Sequence, residues 1–251
     1  MNETANVALG IDVGGTGIKG ALVDLDTGEL VSERFRLETP HPALPAVVAD
    51  AIVAVAEHFA FDGPVGVAFA GVVLEGTVLT AANLHPDWIG LSIADLIGPR
   101  LKGRSVYLND ADAAGLAEAH FGAAKGVSGV VMIVTLGTGI GTAMINDGRL
   151  VPNSEFGHLE LDGLDAETYA AASARKRNGH SWEEWGGHAE HYLKYLENLV
   201  WPTLFVLGGG ITKNPEKWLH HLSPRTPIVL ASNVNNAGII GAADATRSIS
   251  A

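Results

Sequence analysis

The segment Gly10-Ile11-Asp12-Val13-Gly14-Gly15-Thr16-Gly17-Ile18-Lys19-Gly20 (GIDVGGTGIKG) decides the fold, because its glycines fit two different architectures. From Gly15, GTGIKG satisfies G-x-G-x-x-G, the dinucleotide fingerprint that joins a strand to a helix. The residues on either side separate the two readings. Residues 7–13 (VALGIDV) form a short apolar strand, residues 21–26 (ALVDLD) alternate apolar and polar, and after the turn DTGE residues 30–37 (LVSERFRL) make a third strand. A dinucleotide site needs a helix N-terminus directly after the glycines, since its amides and dipole hold the pyrophosphate. Strand in that place argues against NAD and leaves a β-hairpin with a glycine tip, whose amides, Thr16 and Lys19 are able to face an anion.

The same pattern returns about half a chain later. VTLGTGIGTAMIND also runs strand, glycine turn, strand, with strands expected over 130–136 and 142–146 and a hairpin turn at Asn146-Asp147-Gly148. Between and beyond these segments the periodicity predicts helices over 43–59, 92–101, 110–121, 165–177, 183–200 and 237–246. Further strands are expected over 65–73, 106–109, 203–207 and 228–231, the third of them running into Gly208-Gly209-Gly210. Two copies of one βββαβα-like unit facing each other would line a cleft with both glycine turns.

Composition sets limits on function. The 251 residues carry 31 glycines and a formal net charge of −12, which argues against a surface built to grip nucleic acid. Cysteine is absent, so disulfides and thiolate chemistry are excluded; the cytoplasm fits this composition. The opening MNETANVALG lacks the features of a secretory leader. The uncharged run 126–146 is broken by threonines and glycines, and reads as two buried strands around a turn rather than a membrane span.

Two glycine hairpins suit a polyphosphate chain, because backbone N–H groups approach phosphate oxygens where a Cβ would collide. No G-x-x-x-x-G-K-[ST] is present, so this is not a P-loop. In order along the chain, LGIDVGGTGIKGALVD, NLHPDWIG, LNDADAAGLAE, VTLGTGIGTAMINDG, EFGHLELDG and VLGGGITKN resemble the ROK sugar kinases, over residues 8 to about 246. The C-terminal RTPIV and NNAGIIGAA are similar to the bacterial branch of that family that phosphorylates glucose from inorganic polyphosphate and, in some members, ATP.

The resemblance implies an α/β fold of the two-domain actin-like (ribonuclease-H-like) ATPase type with an interdomain cleft. It implies a small domain of residues 1–109 plus 237–251 and a large domain of residues 110–236. Asp110 matches the general base toward the sugar 6-hydroxyl, a role that suits a carboxylate at a strand end; the alternative is a helix cap. Asn83, Asn109, Asp110, Glu155, His158 and Glu167 match sugar-binding positions. Gly14, Gly15, Thr16 and Lys19 match the first phosphate loop, Gly137, Thr138 and Gly139 the second, and Gly209 and Gly210, in the third glycine segment, are further phosphate-binding positions. Asp12 resembles the carboxylate that holds Mg2+, through water.

One departure from the family concerns metal. Many ROK members follow G-H with a C-x-C-G-x-x-G-C zinc motif, whereas here DGLDAETYAAASARKR has no cysteine, so no structural zinc is expected. His188 and His191 share a helix face without an apparent third ligand. Trp182, Trp185 and Trp201 are expected to pack helices or a dimer interface. Arg175, Lys176 and Arg177, with Lys213 and Lys217, form either a basic track for a long polyanion or a solvated helix end. Glucose and polyphosphate are the expected partners, with no nucleic acid, no membrane and a homodimer by family analogy. The competing readings are an ATP-dependent ROK kinase for mannose or fructose, and a ROK sugar-responsive repressor. Repressors of this family carry a helix-turn-helix segment ahead of the first glycine strand, for which the residues before position 8 leave no room.

Overall fold

The computed structural model describes residues 6–81, 84–233 and 235–249. The chain divides into two compact units, Met1–Ala117 with Asn235–Ala251, and Glu118–Val234. In the first, β1 (Val7–Val13) and β2 (Ile18–Asp24) form an antiparallel hairpin in which Val13 lies opposite Ile18. β3 (Phe35–Leu37) extends the sheet. It is shorter than the expected strand over 30–37, because the Ser32 hydroxyl accepts the Leu22 N–H at 2.9 Å and takes a ladder carbonyl's place.

α1 (Pro45–His58) leads to β4 (Val65–Phe69), which runs parallel to β1 and is buried throughout. β4 ends four residues before the expected strand would. A Cβ on Gly71 would lie 2.1 Å from the Thr80 carbonyl oxygen, and the chain turns into a small hairpin, β5 (Val73–Leu74) and β6 (Thr77–Val78). Its tip, Glu75-Gly76, has positive φ at both residues, the geometry that suits a two-residue hairpin. α2 (Ile93–Ile97) is capped by the Ser92 hydroxyl and gives way to a 3-10 turn, Gly98–Arg100, at Pro99. β7 (Ser105–Asn109) then runs into α3 (Asp110–Phe121), within which the boundary between the units falls.

The second unit repeats the plan. β8 (Val130–Leu136), β9 (Ile140–Asn146) and β10 (Arg149–Val151) form an antiparallel meander. Where one helix was expected over 165–177, the chain makes a hairpin, β11 (Glu160–Leu161) with β12 (Leu164–Asp165), and two short helices, α4 (Glu167–Ala170) and α5 (Ala172–Arg177). The break at Ala171 has a cause in hydrogen bonding. Trp185 Nε1 donates to the carbonyls of Ala170 and Ala171 at 3.1 and 3.0 Å, and the Ser173 N–H goes to the Gly137 carbonyl at 3.0 Å. Groups that a continuous helix would pair internally are thus spent elsewhere. α6 (Trp182–Val200) opens with a Ser181–Glu184 capping box and is followed by β13 (Leu204–Gly208) and β14 (Ile228–Leu230). α7 (Ala237–Ala245) returns to the first unit.

The two sheets have the orders β3-β2-β1-β4-β7 and β10-β9-β8-β13-β14, each an antiparallel meander joined to two parallel strands. This is the ribonuclease-H-like unit twice over. In the first unit Leu9, Ile11, Val67 and Phe69 pack with Ile52 and Trp88. On α7 the contact is backbone to backbone: a Cβ on Gly10 would lie 1.9 Å from the Ile239 oxygen, and on Gly66 1.7 Å from the Ala242 oxygen. These strand glycines exist to let a helix of small residues sit down on the sheet. In the second unit Trp185 and Trp218 meet edge to face at 5.8 Å beside Tyr192 and Phe205. The buried Glu118 carboxylate there accepts the N–H groups of Ala123, Ser232 and Asn233 at 2.8, 3.0 and 2.7 Å.

Candidate active site

In the first unit the loop Gly14–Gly17 closes with the Gly14 N–H donating to the Gly17 carbonyl at 3.1 Å. The Thr39 hydroxyl donates to the Gly14 carbonyl at 2.5 Å, and Arg36 donates to the Thr16 carbonyl at 2.7 Å. Carbonyls are therefore tied down from the protein side. Asp12 lies opposite Lys19 across the β1–β2 ladder, with Lys19 Nζ 3.0 Å from its carboxylate. Behind Asp12 is the amino end of α7, so close that a Cβ on Gly238 would lie 2.6 Å from the carboxyl carbon. Among the described residues, no group of three or more His, Cys, Asp or Glu side chains is placed to hold a metal.

At the junction of β7 and α3, capping falls to Asn109 rather than Asp110. Buried Asn109 accepts the N–H groups of Ala111 and Asp112 through Oδ1, at 2.7 and 3.1 Å, and donates through Nδ2 to the Gly71 carbonyl at 3.1 Å. Asp110 is the first residue of the helix and its side chain is exposed, one carboxylate oxygen accepting the Ala111 N–H at 2.9 Å. Fixed backbone with an exposed carboxylate is what a proton acceptor needs. Asn83 lies outside the described residues.

In the second unit the loop Gly137-Thr138-Gly139 is held by two residues, Glu167 and Ser173. Glu167 accepts the Ile140 N–H at 2.8 Å, the Ser173 hydroxyl donates to the Thr138 carbonyl at 2.6 Å, and a Cβ on Gly139 would lie 2.2 Å from the Glu167 carboxylate. Gly209, at φ 85°, presses on Leu136, where a Cβ would come within 2.6 Å of its carbonyl oxygen. The third glycine segment thus supports the second hairpin from behind, while Gly210 is exposed. A Cβ on Gly137 meets nothing within 4 Å, so the hairpin keeps one open side.

The E-x-G-H turn packs against the same hairpin. A Cβ on Gly157 would lie 2.0 Å from the Ile140 carbonyl oxygen, and the Phe156 N–H is held by the Thr142 hydroxyl at 3.0 Å. His158 Nδ1 lies 3.0 Å from the Asp165 carboxylate. That hydrogen bond raises the His158 pKa above its ordinary value; partial burial opposes it, and the charges of Asp165, Glu167 and Glu155 add to the rise. Asp165 was missed from the sequence. Its signal is the Asp162-Gly163 turn, with positive φ at both residues, which folds β12 back beside His158.

The remaining polar clusters have structural partners. Arg175 stacks over Trp182 at 3.9 Å and donates to the His180 carbonyl, while Arg177 donates to the Thr168 carbonyl at 2.7 Å. Lys176, Lys213 and Lys217 are exposed. His191 lies 3.0 Å from Asp162, and the His188 ring packs at a tilt against those of His180 and Tyr169. Trp185 is buried, whereas Trp201 is 67% exposed with Arg225 over its ring at 4.0 Å.

Known proteins resemble this chain over most of its length. The model of the ROK family matches residues 8–181. Polyphosphate glucokinase of Mycobacterium tuberculosis is 50% identical over 244 residues, covering 97% of this chain and 92% of that protein. Among solved structures, the inorganic polyphosphate/ATP-glucomannokinase from Arthrobacter sp. strain KM matches with a TM-score of 0.92 at 49% identity, over 97% of this chain and 99% of that one. A ROK family glucokinase from Streptomyces griseus, in complex with glucose and AMPPNP, matches with a TM-score of 0.83 at 27% identity, over 96% and 99% of the two chains.

Proposed function

The chain belongs to the ROK family, with its two-domain actin-like ATPase fold, and from that premise we propose that it transfers a phosphoryl group from inorganic polyphosphate to the 6-hydroxyl of glucose. ATP is a second donor. The observation that carries this reading is the 50% identity with the Mycobacterium tuberculosis polyphosphate glucokinase over 97% of the chain. Likeness to the Arthrobacter glucomannokinase favours mannose as a second acceptor.

In this reading Asp110 accepts the 6-hydroxyl proton as the sugar oxygen bonds to the terminal phosphorus and the bridging P–O bond of the donor breaks. The products are glucose 6-phosphate and a polyphosphate one unit shorter. Asn109 fixes the turn that presents Asp110. Asn83, Glu155, His158 and Glu167 hold sugar hydroxyls, with Asp165 fixing the orientation of the His158 ring. Amides of Gly14, Gly15, Thr16, Gly137, Thr138, Gly139 and Gly210, with Lys19, bind the donor phosphates, and Gly209 backs the second loop.

Magnesium fits the residues present, since it is held by one or two carboxylates with phosphate oxygens and water, and Asp12 supplies one carboxylate. When bound it neutralises charge on the donor phosphates. Loop 161–177, which lacks cysteine, is held by packing and the Trp185 hydrogen bonds rather than by zinc. A cytoplasmic homodimer follows the analogy with the family's sugar kinases.

The test is glucose 6-phosphate formation by the purified protein with long-chain polyphosphate or ATP at equal total phosphate. Product is expected from both donors. Turnover with ATP alone removes polyphosphate from the reading, and none with either removes the kinase assignment. Competition between glucose, mannose and fructose in the same assay fixes the acceptor.

A further inference from the structure

Gly17 belongs to the glycine loop, yet its φ is not in the left-handed region, so the turn itself does not demand glycine there. Space does. A Cβ on Gly17 would lie 2.5 Å from Arg36 Nε and 2.8 Å from the guanidinium carbon, so the guanidinium lies against the bare backbone of the hairpin. One of its nitrogens donates to the Thr16 carbonyl at 2.7 Å. Among the described residues no other hydrogen bond to this guanidinium is present, and Arg36 is exposed.

The sheet register gives this cation a direction. Asp12 pairs with Lys19 across β1 and β2, and Lys19 pairs with Arg36 across β2 and β3. Residues directly opposite each other in antiparallel strands share a face, so Asp12, Lys19 and Arg36 form one row from the middle of the sheet to its edge strand. Lys19 is engaged with Asp12, and Arg34 is engaged with the Asn236 side chain at 3.1 Å. Arg36 therefore supplies the outermost cation of the row. Of the basic residues expected to guide a long donor, Arg175 and Arg177 are committed to Trp182, His180 and Thr168.

We infer that Arg36 binds the donor chain beyond its terminal phosphates and so favours long polyphosphate over ATP. This rests on the proposed kinase reading for its substrate. A planar guanidinium carries up to five donors in a fixed fork suited to phosphate oxygens, and one anchored against a glycine hairpin has already lost the rotamer freedom that binding would cost.

The experiment compares the unmodified protein with Arg36→Gln, which keeps a polar side chain but removes the charge, and with Gly17→Ala, which keeps Arg36 but displaces it. Calorimetric binding of long-chain polyphosphate without glucose is measured alongside KM for tripolyphosphate, long-chain polyphosphate and ATP. Both variants are expected to weaken long-chain binding by about tenfold, the effect of one charge-assisted hydrogen bond. For Arg36→Gln, KM for long-chain polyphosphate should rise more than KM for tripolyphosphate or ATP, whose change reports only the lost tether on the Thr16 carbonyl. Arg36→Gln should also flatten the salt dependence of long-chain binding by about one charge. An equal loss with every donor, or unchanged binding and salt slope, overturns the inference. No long-chain binding and no turnover by the unmodified protein would instead remove the proposed function.

Discussion

Asp110 and Asn109 divide two tasks that a single cap residue at the start of α3 could not combine. Asn109 is spent on two helix amides and the Gly71 carbonyl, which leaves the position of Asp110 set by the backbone. Asp110→Asn is accordingly expected to lower kcat by about 10²–10⁴-fold, with glucose affinity by calorimetry largely intact; substantial residual turnover would remove Asp110 as the base. His158 offers a titration instead. Its pKa is raised, chiefly by the hydrogen bond that His158 donates to Asp165, so the pair stabilises the fold in full below the unfolded value of about 6.5 and is lost as pH rises through the raised folded value. Asp165→Asn should bring the His158 midpoint down toward the ordinary value in an NMR titration. An unmoved midpoint would mean that Asp165 is not the cause. Neither Asn109's capping nor Asp165's partnership was assigned from the sequence: the first hid behind an equally good cap at the next position, and the second depends on a hairpin fold-back seven residues away.

At the level of elements, the strands with strong alternation and both glycine hairpins were legible, because side-chain periodicity and turn chemistry are local. What was not legible is where tertiary contacts cut an element short. Residues 165–177 have helical composition, but Trp185 and Gly137 capture the backbone groups around Ala171 and divide the segment in two. Residues 65–73 read as one strand until the Thr80 carbonyl is seen to occupy the space beside Gly71. The same kind of contact gives a stability prediction for α7. Gly66→Ala would force a Cβ to within 1.7 Å of the Ala242 carbonyl oxygen, with rigid backbone on both sides. It is expected to cost about 3 kcal/mol or more in urea unfolding. Gly137→Ala, whose Cβ meets nothing within 4 Å, should change stability by less than about 0.5 kcal/mol. Equal costs at the two positions would contradict the close seating of α7.

Across the whole molecule, two units of the same strand order are each completed by their own core, and the chain passes between them inside α3 and again before α7. Glu118 ties the start of the second unit to its end through the amides of Ser232 and Asn233. Glu118→Ala strips three part-buried amides of their acceptor and should destabilise the second unit by about 2 kcal/mol. Tryptophan fluorescence is suited to measuring it, since Trp182, Trp185, Trp201 and Trp218 lie in that unit and Trp88 in the other. A loss confined to Trp88 would place the effect elsewhere. The seating of α7 on Gly10 and Gly66 also bears on the order in which the protein is made. A ribosome releases residues 118–234 complete before it releases α7, and domains tend to fold as units during synthesis. The first sheet, although translated first, keeps a bare glycine-lined face until α7 emerges, so the nascent chain carries a finished second unit while the unit that began it is still waiting to close.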